Sequence, residues 1–178
     1  MKSNQQSVFM KRTCLYLILL ISVLSTTALY AQNLALSQIR KDFKVGHKDE
    51  KTCVNHLKAL ESYAETPVER GYEAAYHMFM AKHTGNPLKK MGYFRNGRKM
   101  LEKEIAEHPN NIELRYIRLC IQYYTPSFLG YKGDIEKDKE FLMNNLYTLK
   151  DPQVRSLIYT YLAGAKMYSD KELALLGR

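Results

Sequence analysis

Glu73 and His77 stand four residues apart in a run with helical apolar spacing, so their side chains share one face and can hydrogen-bond. A carboxylate beside an imidazole is the least that general acid/base chemistry needs. An ordinary helix-surface pair is nonetheless the preferred reading. The five histidines are otherwise scattered. There is no His-Glu-x-x-His zinc pattern and no Glu-x-x-His carboxylate bridge. Nor is there a Gly-x-Ser-x-Gly elbow, a phosphate-cradling glycine loop or a dinucleotide fingerprint. No catalytic residue, metal-ligand set or cofactor is expected.

Other residues point to contact chemistry. Arg115 and Arg118 lie one helical turn apart, with Gln122 further along the same face. Asp138 and Lys139, on the next helix, reach that face if the two helices are antiparallel. A guanidinium fork suits a bidentate carboxylate contact, so a structural Arg–Asp lock is preferred over an anion-binding arginine pair. The connector from Tyr123 to Asp134 carries Tyr124, Phe128, Leu129 and Tyr131, with glycines at Gly130 and Gly133, and is too aromatic for a plain turn. Exposed rings there would form a ligand lip. The alternative, and the preferred reading, is that Phe128, Leu129 and Tyr131 fold back to plug the end of the core. Candidate binding residues are therefore Arg115, Arg118, Tyr124, Phe128 and Tyr131. A basic run, Lys82, Lys89, Lys90, Arg95, Arg98, Lys99 and Lys103, is diluted by Glu102 and Glu104. It reads as a solvated helix face, with a polyanion surface as the alternative.

Helical elements must position these groups. Apolar residues return every third or fourth place in eight stripes, from Leu36, Ile39 and Phe43 through Cys53, Leu57 and Leu60 to Leu173 and Leu176, and no stretch alternates as a half-buried strand would. Start signals recur at Thr66-Pro67-Val68-Glu69, Asn110-Asn111-Ile112-Glu113, Asp151-Pro152 and Ser169-Asp170-Lys171-Glu172. Gly46, Gly85 and His108-Pro109 supply stops. Gly92 and Gly97 weaken the early turns of the fourth helix. The caps at Thr66, Asn110 and Asp151 lie 44 and 41 residues apart, and six residues beyond each stand Tyr72, Tyr116 and Leu157. The expected fold is all-α: a right-handed stack of seven to eight helices in antiparallel pairs, an α-solenoid of tetratricopeptide-like kind, preferred over an irregular bundle.

The first residues predict export. Lys2, Lys11 and Arg12 precede an apolar core, Leu15 to Leu24, and small residues lead to Ala31. That core is about ten residues long, short of the roughly twenty that span a bilayer. A signal peptide over 1–31 is expected, with cleavage after Ala31 and no stable membrane span afterwards. Cys14 lies before the apolar core, which excludes a lipoprotein cysteine there. Removal of 1–31 takes three of the 27 Lys and Arg and none of the 18 Asp and Glu, leaving a net charge of +6 on a single domain, 32–178. Such a chain buries enough surface to need no staple. Cys53 and Cys120 both sit on apolar stripes, and buried free thiols are preferred over a disulfide.

Two resemblances add to this reading. Residues 106–114 resemble the junction between two tetratricopeptide repeats. From Pro109 to Leu142 the chain resembles a family of small exported helical proteins of Gram-negative bacteria. The residues are Pro109-Asn110-Asn111, Glu113-Leu114-Arg115-Tyr116-Ile117-Arg118, Pro126-Ser127-Phe128-Leu129-Gly130-Tyr131, Ile135 and Asp138-Lys139. That likeness implies a helical fold and export, and brings no activity, cofactor or partner. The expected role is a non-enzymatic interaction or scaffold module of the cell envelope, periplasmic or extracellular, with a protein or peptide partner and no nucleic acid. The alternatives are a glycan-directed accessory or hydrolase using Glu73, Asp134 and Asp138, and a polyanion binder using Lys89, Lys90, Arg95 and Arg98.

Overall fold

The computed structural model describes residues 35–176, so the expected leader and its boundary at 31/32 lie outside the described residues. The chain divides into two units, one ending at Arg40 and one starting at Lys41. In the first, residues 35–40 are helical, with Leu36 and Ile39 buried. The second holds everything that follows.

The described residues form helices and turns, with no strand among them. Helix α1 covers 35–46. It is followed by α2 (Glu50–Tyr63), α3 (Pro67–Met80), α4 (Pro87–Glu107), α5 (Ile112–Tyr124), α6 (Ile135–Asn145), α7 (Pro152–Gly164) and α8 (Asp170–Leu176). Single 3-10 turns, Ser127–Leu129 and Leu146–Thr148, flank α6. The fold is all-α, as the stripes require.

The start signals act as their chemistry dictates. Thr66 caps α3 by accepting from the Glu69 amide, while the Glu69 carboxylate accepts from the Thr66 amide at 2.9 Å, a complete capping box. Asp151 caps α7, and Ser169 with Glu172 forms a second box before α8. One cap is shifted. The N-cap of α5 is Asn111, not Asn110, and its side chain accepts from the Glu113 and Leu114 amides. Asn reaches the second and third amides equally well, so two adjacent asparagines left the sequence pattern ambiguous. Glu113 is then released from boxing and turns inward to accept from the Tyr72 hydroxyl at 2.8 Å.

Helices α2 and α3 pack side by side, as do α3 with α4 and α5 with α6, while α3 also lies against α5. These are the paired rods that a helical stack requires. Phe43 is the hub of the aromatic core. Its ring centroid lies 5.4 Å from those of Tyr72 and Phe79, 5.8 Å from Tyr116 and 6.2 Å from Tyr161. Tyr116 meets Tyr161 edge to face at 5.7 Å. One ring thus collects the helices that open each expected repeat unit, α3, α5 and α7.

Two helix crossings depend on glycine. A Cβ on Gly97 would strike the Ala74 carbonyl oxygen and approach the Met78 Cγ to 2.7 Å. A Cβ on Gly71 would strike the Leu114 side chain. The helix propensity lost at Gly97 is therefore offset by close approach of α4 to α3. Gly92, in the same helix, has nothing within 4 Å of that position. The Cys53 and Cys120 thiols are buried and free. Burial pushes the Cys53 pKa up to about 12 and that of Cys120 well above its ordinary value.

These two glycines should respond oppositely to alanine. Gly92→Ala should stabilise by about 0.5–1 kcal/mol, the helix-propensity difference. Gly97→Ala should cost about 1–3 kcal/mol through overpacking against backbone. Urea unfolding followed by circular dichroism measures both; equal shifts of the same sign would refute the close-crossing account.

Candidate functional site

The arginine face of α5 meets α6 in the expected Arg–Asp contact. Asp138, fully buried in the first turn of α6, accepts from Arg115 Nη1 at 2.7 Å on one carboxylate oxygen. The same oxygen accepts from Arg118 Nη2 at 2.8 Å, and the other accepts from Arg118 Nε at 2.6 Å. Arg115 Nε donates to the Pro109 carbonyl, and Arg118 Nη1 donates to Glu102 of α4 at 2.9 Å. Asp134 lies 3.5 Å from Arg118 Nη1 and binds Gln122 through its backbone and side chain. Burial works against the Arg118 cation. The Asp138 hydrogen bonds and the charges of Asp138, Glu102 and Asp134 outweigh it and hold the pKa above its ordinary value.

The connector is tied into this network from one side only. The Tyr131 hydroxyl donates to Glu102, and Arg98 lies over its ring at 4.7 Å. Burial, followed by the Glu102 hydrogen bond, pushes the Tyr131 pKa up. Gly130 takes a left-handed conformation at φ 61° to end the 3-10 turn. Phe128 goes the other way and is 85% exposed. The plugging expected of Phe128, Leu129 and Tyr131 together thus holds for Tyr131, whereas Leu129 is half-buried and Phe128 faces out.

A cavity of about 540 Å³ opens on that outward side. Phe43 and Phe79 contribute to its walls, with Met91 and Phe94 from α4 and Cys120 and Ile121 from α5. Tyr124, Thr125, Pro126, Phe128 and Leu129 form the lip. Polar groups are few: His47, Lys82 and Lys90 line it, and the Thr125 hydroxyl is already donating to the Ile121 carbonyl at 2.7 Å. The His47 pKa is lowered to about 4, first by burial and then by the charges of Lys82, Lys48 and His83. The volume lies within the roughly 300–1,000 Å³ of small-molecule sites, whose walls are mostly apolar.

The five candidate binding residues therefore separate into two groups. Arg115, Arg118 and Tyr131 are buried in the network, with the guanidinium groups directed at protein acceptors. Tyr124 and Phe128 line the cavity. Sequence reasoning assigned Phe79, Met91 and Ile121 no site role, because on a helical stripe a cavity wall and a core residue look alike. Of the hydrolase carboxylates, none lines the cavity. Asp138 is locked in the network, and Glu73 lies 3.9 Å from His77, which also lies 3.6 Å from Glu61. Burial leads the causes that raise the Glu73 pKa. Glu104, Glu107 and His108, at the end of α4, bring three ligand atoms within 4.8 Å and could hold a metal ion. Glu107 and His108 are exposed, and Glu104 already pairs with Arg70 at 3.2 Å.

No family model, curated protein or solved structure matches the chain. Among the described residues no helix is long and apolar enough to cross a membrane.

Removing Asp138 should leave two buried guanidinium groups without their shared carboxylate. Asp138→Ala is expected to cost about 3–5 kcal/mol in urea unfolding, while replacing Arg115, Arg118 and Asp138 together by Met, Met and Leu should restore most of it. A mild effect of Asp138→Ala alone would show that the lock is not needed.

Proposed function

We propose that this chain is an exported, non-enzymatic helical-repeat module of the cell envelope that works by holding an apolar part of its partner in the cavity lined by Phe43, α3, α4, α5 and the connector. The observation that carries the reading is that cavity of about 540 Å³ with Phe128 left 85% exposed at its lip. Large apolar side chains presented at a concave mouth are what binding surfaces use and folding does not require. Stacked helix pairs, the cap spacing and the resemblance over Pro109 to Leu142 support the module reading. The basic, apolar, small order of residues 1–31 supports export.

The neutral fluorescent probe N-phenyl-1-naphthylamine tests the cavity. It should bind with a Kd on the order of micromolar. Met91→Trp, which fills the cavity from a half-buried position, should weaken binding at least tenfold, and Phe128→Ala should weaken it less, both with unchanged unfolding midpoints. No fluorescence gain on mixing, or a gain indifferent to Met91→Trp, would end the reading. Export has its own check. Intact mass of the protein released by osmotic shock should correspond to a chain starting at Gln32; the full-length mass, found only with membranes, would remove the compartment from the proposal.

A further inference from the structure

The cavity is chemically one-sided. Its walls are helical, so their backbone amides and carbonyls are mostly engaged within the helices, and no strand edge is offered among the described residues. Its one hydroxyl outside the tyrosines, Thr125, is already donating to a backbone carbonyl. An extended peptide laid inside would leave its own amides unpaired, at a cost of roughly 1–3 kcal/mol for each buried group. The walls suit an occupant that carries no hydrogen-bonding group along its length.

One kind of charge stands beside those walls. Lys82 and Lys90 line the cavity, both are exposed, and neither has an ion-pair partner among the described residues. No carboxylate lines it. The His47 pKa is lowered first by burial and then by the positive charges of Lys82, Lys48 and His83. The basic face of α4 continues outward from Lys90. Glu102 and Glu104, which interrupt the basic run in sequence, turn inward to Arg118 and Arg70. What stays exposed is Lys89, Lys90, Arg95, Arg98, Lys99 and Lys103, with Glu107 at the far end.

Resting on the cavity reading above, we infer that the occupant is a single-chain amphiphile with an anionic head. Its acyl chain lies against Phe79, Met91, Phe94 and Ile121, and its head is held at Lys82 and Lys90. The chain supplies apolar area to walls that offer few polar partners, and the head neutralises a charge that the fold leaves unpaired.

Displacement of N-phenyl-1-naphthylamine from the intact protein by three ten-carbon probes of equal chain length, decanoate, decanol and decylammonium, below their aggregation thresholds, tests this. Decanoate should displace the dye at least tenfold more effectively than the other two. Lys82→Glu with Lys90→Glu should abolish that preference while the dye itself still binds. Equal displacement by all three probes, or a decanoate preference that survives the double substitution, would overturn the head assignment and leave the cavity reading standing. Tighter displacement by an acidic helical peptide with Leu and Phe anchors would replace the amphiphile by a protein segment. Failure of the dye to bind at all would sink both readings together.

Discussion

A single carboxylate, Asp138, holds two guanidinium groups inside the protein and ties α6 to α5 through them. Its three hydrogen bonds fix α6 against α5 at the first turn of α6. The C-terminal half of the connector is tied down beside them. Asp134 is drawn to Gln122 and Arg118, and Tyr131 is drawn to Glu102 and Arg98. Thr125, Pro126, Phe128 and Leu129, just before these ties in the chain, run along the mouth of the cavity.

Such a network is weak evidence for stability. Desolvating two guanidinium groups and a carboxylate costs several kcal/mol per ion, and a well-packed apolar cluster of the same volume is often as stable. Its value here is directional. Apolar contacts such as those of the buried Leu142 set the register of α6 only through shape, and carry no directional bond. A carboxylate that must meet both Arg115 and Arg118 permits one register. Glu102 extends the same constraint to α4, so that three helices share one charged centre while Phe43 collects the apolar faces of α3, α5 and α7.

Much of this was legible in the residues. The eight stripes are the eight helices of the described residues, because burying an apolar face at period 3.6 leaves a helix little alternative. Arg115, Arg118 and Asp138 were legible as a lock because the i, i+3 spacing shares a face and the fork geometry calls for a carboxylate. The capping signal at Asn110-Asn111 was off by one residue, since Asn111 takes the Glu113 and Leu114 amides and leaves the Glu113 carboxylate to accept from Tyr72. The caps Asp49 and Asn86 of α2 and α4 carried no complete start pattern. The connector was half legible. Tyr131 and Phe128 are both aromatic and three residues apart, but only Tyr131 carries a hydroxyl that can donate to the half-buried Glu102, and Glu102 itself reads in sequence as one more surface acid. The cavity was not legible. It is assembled from residues as far apart as Phe43 and Tyr161, whose local patterns are those of ordinary core positions.

A cavity of about 540 Å³ needs walls that cannot close on it. Empty apolar volume is destabilising, and a core free to relax would collapse part of the way into it. Here the walls are not free. α4 is held to α3 by the close crossing at Gly97, and α5 is held to α6 by Asp138. The lip is held by Tyr131 on its far side. Phe128 could lower the free energy of the isolated chain by turning into the cavity, and it remains exposed on a 3-10 turn ended by Gly130 in a left-handed conformation. On the proposed reading, a frame that keeps Phe128 outside and fixes the cavity walls presents its binding surface already in place. Little ordering entropy is then left for an occupant to overcome, which is the condition under which a modest apolar contact yields measurable affinity.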